Sequence, residues 1–280
     1  VGAPQHSNGS GAAWLVPMGA GGLLEDSALL TLAGEGYDVV GCAVAGAGDV
    51  DGDGLDDVLV GAYGEGSGGV GAGAAALIPG GFATKDGVLR FAEVPVRLLG
   101  DTGDFAGFAV GSAGDVDGDG FGDVLIGAHQ GDVETAMDSQ EGKTYLMLSS
   151  DITSETPPHT FNLGIDASYS FVGEVAGDTS GRQVASAGDV DGDGFDDLLI
   201  AAQGNDAGGS AAGKTYLMLA KDITAEMKGH TFDLSNASYS FVGEAPLDRS
   251  GVCVTSAGDV DNDGKADLLI ATTGNDEGED

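Results

Sequence analysis

One acidic pattern recurs four times along this 280-residue chain and constrains its fold more than any other feature. The string Ala-Gly-Asp-Val-Asp-Gly-Asp-Gly occurs at 47–54, 113–120 and 187–194, and a near copy at 257–264 carries Asn262 in place of one glycine. Successive copies begin 66, 74 and 70 residues apart. A repeat of this size predicts a tandem array of similar structural units.

Each unit is predicted to contain four short strands, because short apolar runs alternate with glycine-rich turns. The first strand leads into the acidic pattern and the second leaves it; these are predicted at 108–113, 183–187 and 252–257, and at 58–61, 124–127, 198–201 and 268–271. The third is predicted at 144–148 and 215–219, and the fourth at 169–173 and 239–243. No comparable stretch shows sustained helical periodicity. The chain is therefore predicted to be all-β, a β-propeller of four-stranded antiparallel blades with four blades' worth of sequence.

The whole chain, 1–280, is expected to form a single propeller region. Residues 1–36 would supply the third and fourth strands of a blade, and residues 245–280 the first and second strands of the last one. Three full repeats lie between them, at approximately 37–100, 101–174 and 175–244. Because the two ends are complementary, they are expected to complete one blade together or with a neighbour, which would protect the open edges of the sheets.

The charge of the chain excludes some partners. Ten Lys and Arg residues stand against 46 Asp and Glu, a net charge of −36, which would repel nucleic acid and anionic membranes. The uncharged run 66–84 contains glycines and Pro79, so it is not expected to span a membrane. No secretion signal precedes Glu25, the first charged residue, and a chain that begins at Val1 is expected to be a mature protein or a fragment.

The two cysteines, Cys42 and Cys253, lie on equivalent predicted strands, seven and six residues before the first aspartate of their acidic pattern. A difference of one residue points them to opposite faces of a strand. A disulfide between them is therefore not favoured, although it is not excluded.

The acidic pattern reads Asp-x-Asp-x-Asp-Gly-x-x-Asp and predicts a metal site. Glycine at the sixth position allows a sharp turn that would wrap the carboxylates around one point. The seventh residue varies in chemistry, as expected if only its backbone carbonyl binds. An all-oxygen, flexible site without His or Cys favours Ca²⁺ over Mg²⁺ or zinc. Four Ca²⁺ sites are predicted, with these ligands: Asp49, Asp51, Asp53, Leu55 and Asp57; Asp115, Asp117, Asp119, Phe121 and Asp123; Asp189, Asp191, Asp193, Phe195 and Asp197; Asp259, Asp261, Asp263, Lys265 and Asp267.

Other motifs give way to this interpretation. An EF-hand loop would end with a glutamate at position 12 and enter a helix, whereas position 12 here lies in an apolar strand. The segment 208–215 matches the P-loop pattern, but a P-loop must open a helix and 216–219 is predicted to be a strand. His159 and His230 recur at the same repeat position, which is typical of a structural role. No catalytic group is predicted, and the chain is not expected to be an enzyme.

The combined pattern resembles the FG-GAP repeats of integrin α-subunit β-propellers and their bacterial relatives. The resemblance rests on Phe105-Ala-Gly-Phe108 followed by Ala-Gly-Asp115-Val-Asp-Gly-Asp-Gly-Phe-Gly-Asp123-Val-Leu-Ile-Gly-Ala128. It implies calcium in the loop between the first two strands of each blade, and a role outside the cell in adhesion or ligand binding. The Phe-Gly element is degraded at 180–182 and 250–252. Rings of this family usually have seven blades, so a part of a longer chain is favoured here over half of an assembled ring or a small closed ring.

The expected function is a secreted or cell-surface, calcium-binding propeller that recognises a protein or glycan ligand on a cell or matrix surface. Self-assembly to complete a ring stays open. One alternative is a calcium-dependent lectin, in which repeated aromatics such as Tyr169 and Tyr239 would line a sugar pocket. Another is the non-catalytic propeller region of a larger secreted enzyme such as a polysaccharide lyase. The fold alone does not decide between them.

Overall fold

The computed structural model describes residues 1–17, 19, 22–82, 87–131 and 140–274. Twenty strands lie within these ranges. They are β1 (Gly2–Ala3), β2 (Ala12–Leu15), β3 (Leu30–Ala33), β4 (Val44–Gly48), β5 (Asp57–Ala62), β6 (Ala74–Ile78), β7 (Gly87–Arg90), β8 (Val96–Leu99), β9 (Ala109–Gly114), β10 (Asp123–Ala128), β11 (Lys143–Met147), β12 (His159–Asn162), β13 (Tyr169–Val172), β14 (Ser180–Gly188), β15 (Asp197–Ala202), β16 (Lys214–Met218), β17 (His230–Asp233), β18 (Tyr239–Val242), β19 (Cys253–Gly258) and β20 (Asp267–Ala271).

The helical segments are single turns in the connections between strands. They are α1 (His6–Gly9), α2 (Leu24–Ser27), α3 (Ser149–Thr153), α4 (Leu163–Asp166) and α5 (Ala220–Thr224), together with 3₁₀ turns at Gly80–Phe82, Phe91–Glu93 and Leu234–Asn236. None of the helices in the described part of the chain has the length and apolar character needed to cross a bilayer.

The strands form five sheets, and the all-β prediction is confirmed. In each of the three sheets that contain β4, β9 and β14, four consecutive repeat strands pair antiparallel in the predicted order, first to fourth. The first sheet, β1-β2-β3-β7, lacks a first strand, and β19 and β20 form a two-stranded sheet. In the first sheet β1 pairs antiparallel with β2.

Two features differ from the sequence-based expectation. An additional strand from the following repeat pairs parallel with the fourth strand of three sheets, as β7 with β3, β12 with β8, and β17 with β13. The predicted closure of a ring is not seen among the described strands, where the β19–β20 hairpin pairs with no strand of the first sheet. There are thus five sheets, two of them incomplete, in a propeller-like arrangement.

The hydrophobic core consists of four clusters, each between two consecutive sheets. Leu125, Phe171 and Tyr216, for example, lie in the cluster between the β9 and β14 sheets, and each is fully buried. The first strands β4, β9, β14 and β19 lie side by side and are rich in Gly, Ala and Ser. A side chain added at Gly111 in β9 would lie 3.0 Å from the carbonyl oxygen of Val184, so small residues allow these strands to approach closely.

Candidate metal centres

All four acidic loops lie where the sequence predicts, in the hairpin between the first and second strand of a sheet. In each, three carboxylates offer oxygens that lie within 4.8 Å of one another. The groups are Asp49, Asp51 and Asp53; Asp115, Asp117 and Asp123; Asp189, Asp191 and Asp197; and Asp259, Asp261 and Asp263. The structure therefore brings at least three of the predicted acidic ligands together in every loop.

Backbone N–H groups shape each loop around the first aspartate. In the second loop, Asp115 accepts from Gly118 N at 2.7 Å through Oδ1 and from Gly120 N at 2.9 Å through Oδ2. The same pair of bonds forms in the first and third loops. The sixth-position glycines have φ between 86° and 93°, as expected for the predicted turn. Backbone N–H groups thus fix the turn, and the loop carboxylates lie close to one another.

The ninth-position aspartate is a buried link between the loop and the sheet. Asp123 is fully buried and accepts from Val116 N at 2.9 Å and from Ser149 N at 2.8 Å, one on each oxygen. Asp57 and Asp197 are held in the same way by the equivalent groups. Burial raises the pKa of Asp123 to about 7 and that of Asp197 to about 6, against the opposing effect of these hydrogen bonds. A bound cation would favour the ionised form of both.

The seventh-position side chains of the second, third and fourth loops lie over the preceding loop. A methyl group placed on Gly52 would lie 2.9 Å from a ring carbon of Phe121, and one on Gly118 would lie 2.1 Å from a ring carbon of Phe195. The backbone joins the loops too, because Gly122 N donates to Asp49 O at 2.9 Å and Asp196 N to Asp115 O at 3.0 Å. Sequence reasoning missed this contact between loops, since it assigned the seventh residue only a carbonyl.

The donor set fits a cation, and the third loop shows this most directly. Asp191 Oδ1 is buried and has no hydrogen-bond partner, so one ligand oxygen is unsatisfied. The ammonium group of Lys221 binds the other oxygen, Oδ2, and lowers the pKa of Asp191. Among the described residues, Lys221 is the one cation that forms an ion pair with an aspartate of an acidic loop. A positive charge is thus already accommodated at this oxygen set.

The features set aside in the sequence have structural surroundings. Lys214, in the P-loop-like segment, begins strand β16 and pairs with Glu174. His159 and His230 begin β12 and β17 and contact the rings of Phe161 and Phe232. Cys42 and Cys253 are both free thiols.

A cavity of about 510 Å³ lies at the opposite end of the hairpins from the acidic loops, among the starts of first strands. Its walls include Tyr63, Phe108 and Gln183. The guanidinium group of Arg182 lies over the ring of Phe108, 5.4 Å from the ring centroid. The ring centroids of Phe108 and His129 are 4.1 Å apart. Tyr169, one of the aromatics that would line a sugar pocket in the lectin alternative, is only 3% exposed and is not accessible to a sugar.

The fold and the loops define an all-β repeat protein with one acidic hairpin loop in each of four successive sheets. Three segments, 43–78, 106–147 and 180–218, match the model of the FG-GAP repeat, so the chain contains three FG-GAP repeats. It is 25% identical over 246 residues to integrin alpha pat-2 of Caenorhabditis elegans and 24% identical to integrin alpha pat-2 of Caenorhabditis briggsae. Each alignment covers 84% of this chain and 18% of the relative, so the chain spans about a fifth of the length of these relatives.

Proposed function

We propose that this chain is an extracellular, calcium-binding recognition module, with one Ca²⁺ in each of its four acidic loops. The observation that carries the proposal is the fourfold gathering of carboxylate oxygens within 4.8 Å of one another. Like charges about 4 Å apart repel by roughly 1 to 4 kcal/mol at the surface of a protein, and a divalent cation turns that cost into attraction.

In each loop the first, third, fifth and ninth aspartates and the carbonyl of the seventh residue would hold the ion. A bound Ca²⁺ would supply two positive charges, which offset half of the charge of the four carboxylates and tie the residues of the loop together. The chain's own residues do the rest. The first aspartate shapes the turn, and the ninth anchors it to the next strand through backbone N–H groups.

Calcium removal tests this role. Binding to the folded chain alone stabilises it by about 2.7 kcal/mol for each site at a hundredfold excess over Kd. Chelation should therefore lower the melting temperature by many degrees and expose protease sites, and restored calcium should reverse both effects. An unchanged melting temperature after chelation, in a sample first shown to contain calcium, would contradict the proposal.

We further propose that the cavity opposite the acidic loops binds the ligand, and that this ligand is a protein. The aromatic walls and Arg182 provide apolar contact next to a positive charge in an otherwise acidic chain. The similarity to integrin alpha supports an adhesion role outside the cell. Protein and glycan arrays, each probed with and without calcium, should show protein ligands that are lost in the Phe108→Ala variant. Binding to glycans alone would instead support the lectin alternative.

A further inference from the structure

We propose that the third acidic loop holds calcium more weakly than the second, because Lys221 occupies part of its oxygen set and must leave when the ion binds. This inference rests on the proposed function, because it ranks two of the proposed calcium sites. The two loops are a matched pair. Both lie in a complete sheet, both have a fully buried ninth aspartate, and both carry phenylalanine at the seventh position.

The contact that distinguishes the third loop is the ion pair between Lys221 Nζ and Asp191 Oδ2. The side chain of Asp191 is 20% exposed and that of Lys221 is 54% exposed, so the pair is shielded from water mainly on the aspartate side. Lys221 lies on α5, directly after the third strand. The preceding residue, Ala220, donates its N–H to the ninth aspartate, Asp197, at 2.8 Å. The loop anchor thus holds the start of α5, and with it Lys221, beside the acidic loop.

The equivalent position in the other repeats carries no charge. Ser149 N and Gly80 N bind the ninth aspartates of the second and first loops as Ala220 N binds that of the third. The residues that follow are Ser150 and Gly81, where the third repeat has Lys221. In the second loop a neutral hydroxyl contacts the acidic set instead, because Ser149 Oγ donates to Asp119 Oδ2 at 2.7 Å.

A second lysine adds to the difference. The seventh residue of the following loop lies over the fourth-position glycine of each loop. For the second loop this residue is Phe195, and for the third it is Lys265, whose Cε would lie 3.6 Å from a methyl group on Gly192. The third loop therefore has the ammonium groups of Lys221 and Lys265 beside its four carboxylates, and the second has a neutral ring and a hydroxyl in these two places. Lys228 also lies near the second loop, but it pairs with Asp151 Oδ1 at 2.8 Å and with none of the loop's aspartates.

The consequence is an exchange of cations. Ca²⁺ can bind Asp191 Oδ2 only after the ammonium group of Lys221 has left that oxygen. The ammonium group then remains close to the ion and repels it. A partly shielded charge pair of this kind is expected to change affinity by about three- to tenfold. The second loop, which lacks the lysine, fills at lower free calcium.

The test is a calcium titration of the full chain by isothermal calorimetry, with two exchange variants. Lys221→Ser gives the third loop the residue of the second and should strengthen one site by about three- to tenfold. Ser150→Lys gives the second loop the lysine and should weaken one site by a similar factor. Arg90→Ser removes the same charge from a residue that pairs with Glu35 and with no aspartate of an acidic loop, and it should change neither affinity.

Lys221 and Ser150 are both exposed, so neither substitution is expected to affect folding. Ser150→Lys also removes the hydroxyl that accepts from Lys228 Nζ at 3.1 Å, and Lys228 keeps its ion pair with Asp151. Two further variants assign the sites. Asp189→Asn should remove a weak site from the isotherm of the unaltered chain, whereas Asp115→Asn should remove a tight one. Calcium binding that Lys221→Ser leaves unchanged would overturn this inference alone. Absence of calcium binding from every variant and from the unaltered chain would overturn the proposed function as well.

Discussion

At the fourth position of each acidic loop, the backbone conformation and the packing around the residue limit which residue type fits. The backbone there has φ of 76°, 76° and 81° at Gly52, Gly118 and Gly192, and 62° at Asn262. Asparagine tolerates this left-handed conformation better than most residues. The three glycines also lie beneath a side chain of the next loop, whereas Asn262 is exposed. The glycines at this position are therefore explained by the backbone conformation and by the side chain that lies over them.

Gly118→Ala tests that explanation. The new methyl group would clash with the ring of Phe195, and alanine would have to keep the positive φ of Gly118. We therefore expect a loss of about 1–3 kcal/mol in the free energy of unfolding. The control, Asn262→Gly, keeps the conformation and meets no neighbour, and it should change stability by less than about 1 kcal/mol. Scanning calorimetry in excess calcium measures both; equal melting temperatures for the two variants would refute the packing argument.

The ninth and fifth aspartates are expected to separate anchoring from metal binding. Asp123→Asn leaves one of two buried N–H groups, from Val116 or Ser149, without an acceptor. It should cost about 1–3 kcal/mol even in chelator. Asp119→Asn alters an exposed carboxylate, so it should weaken calcium binding with little effect on the metal-free chain. Urea denaturation in chelator distinguishes the two, and equal midpoints would show that Asp123 is no anchor.

At the scale of elements, β13 and β18 have the same sequence, Tyr-Ser-Phe-Val, in different surroundings. Phe171 in β13 is fully buried and stacks on Phe232 of β17 at 5.3 Å between ring centroids. Phe241 in β18 is 40% exposed, and β18 pairs only with β16 among the described strands. The added parallel strand from the next repeat thus contributes to the burial of the fourth strand.

Alanine at these two positions measures the contribution of the neighbouring repeat. Phe171→Ala should cost about 3–5 kcal/mol, as expected for a buried aromatic side chain, whereas Phe241→Ala should cost clearly less. Thermal unfolding followed by circular dichroism is sufficient, with calcium held constant. Similar losses at both positions would mean that Phe241 is covered in solution as Phe171 is here.

Most elements could be predicted from the sequence, because strand periodicity and the repeat agree. The second strand predicted at 124–127 is observed as Asp123–Ala128, and the third predicted at 215–219 is observed as Lys214–Met218. The parallel strand that begins at His159 was missed, since its four residues pair outside their own repeat and carry no local signal. Lys221 was missed for the same reason: its importance depends on an aspartate 30 residues away.

For the molecule as a whole, neighbouring sheets are joined through their acidic loops as well as through their cores. The backbone N–H of the eighth residue of one loop donates to the backbone carbonyl of the first aspartate of the loop before it. The three successive N–O distances are 2.9, 3.0 and 2.8 Å. Four loops that are linked in a row within a chain of net charge −36 place a large negative potential at one end of the hairpins. We propose that four cations offset part of this negative charge.

A crystal structure of the calcium-soaked chain, with anomalous data collected at a wavelength where calcium scatters strongly, tests this claim most directly. We expect four anomalous peaks, one in each acidic loop. Each peak should be surrounded by oxygens of the first, third, fifth and ninth aspartates and by the carbonyl oxygen of the seventh residue. Loops that contain only water at saturating calcium, with their carboxylates turned apart, would contradict it.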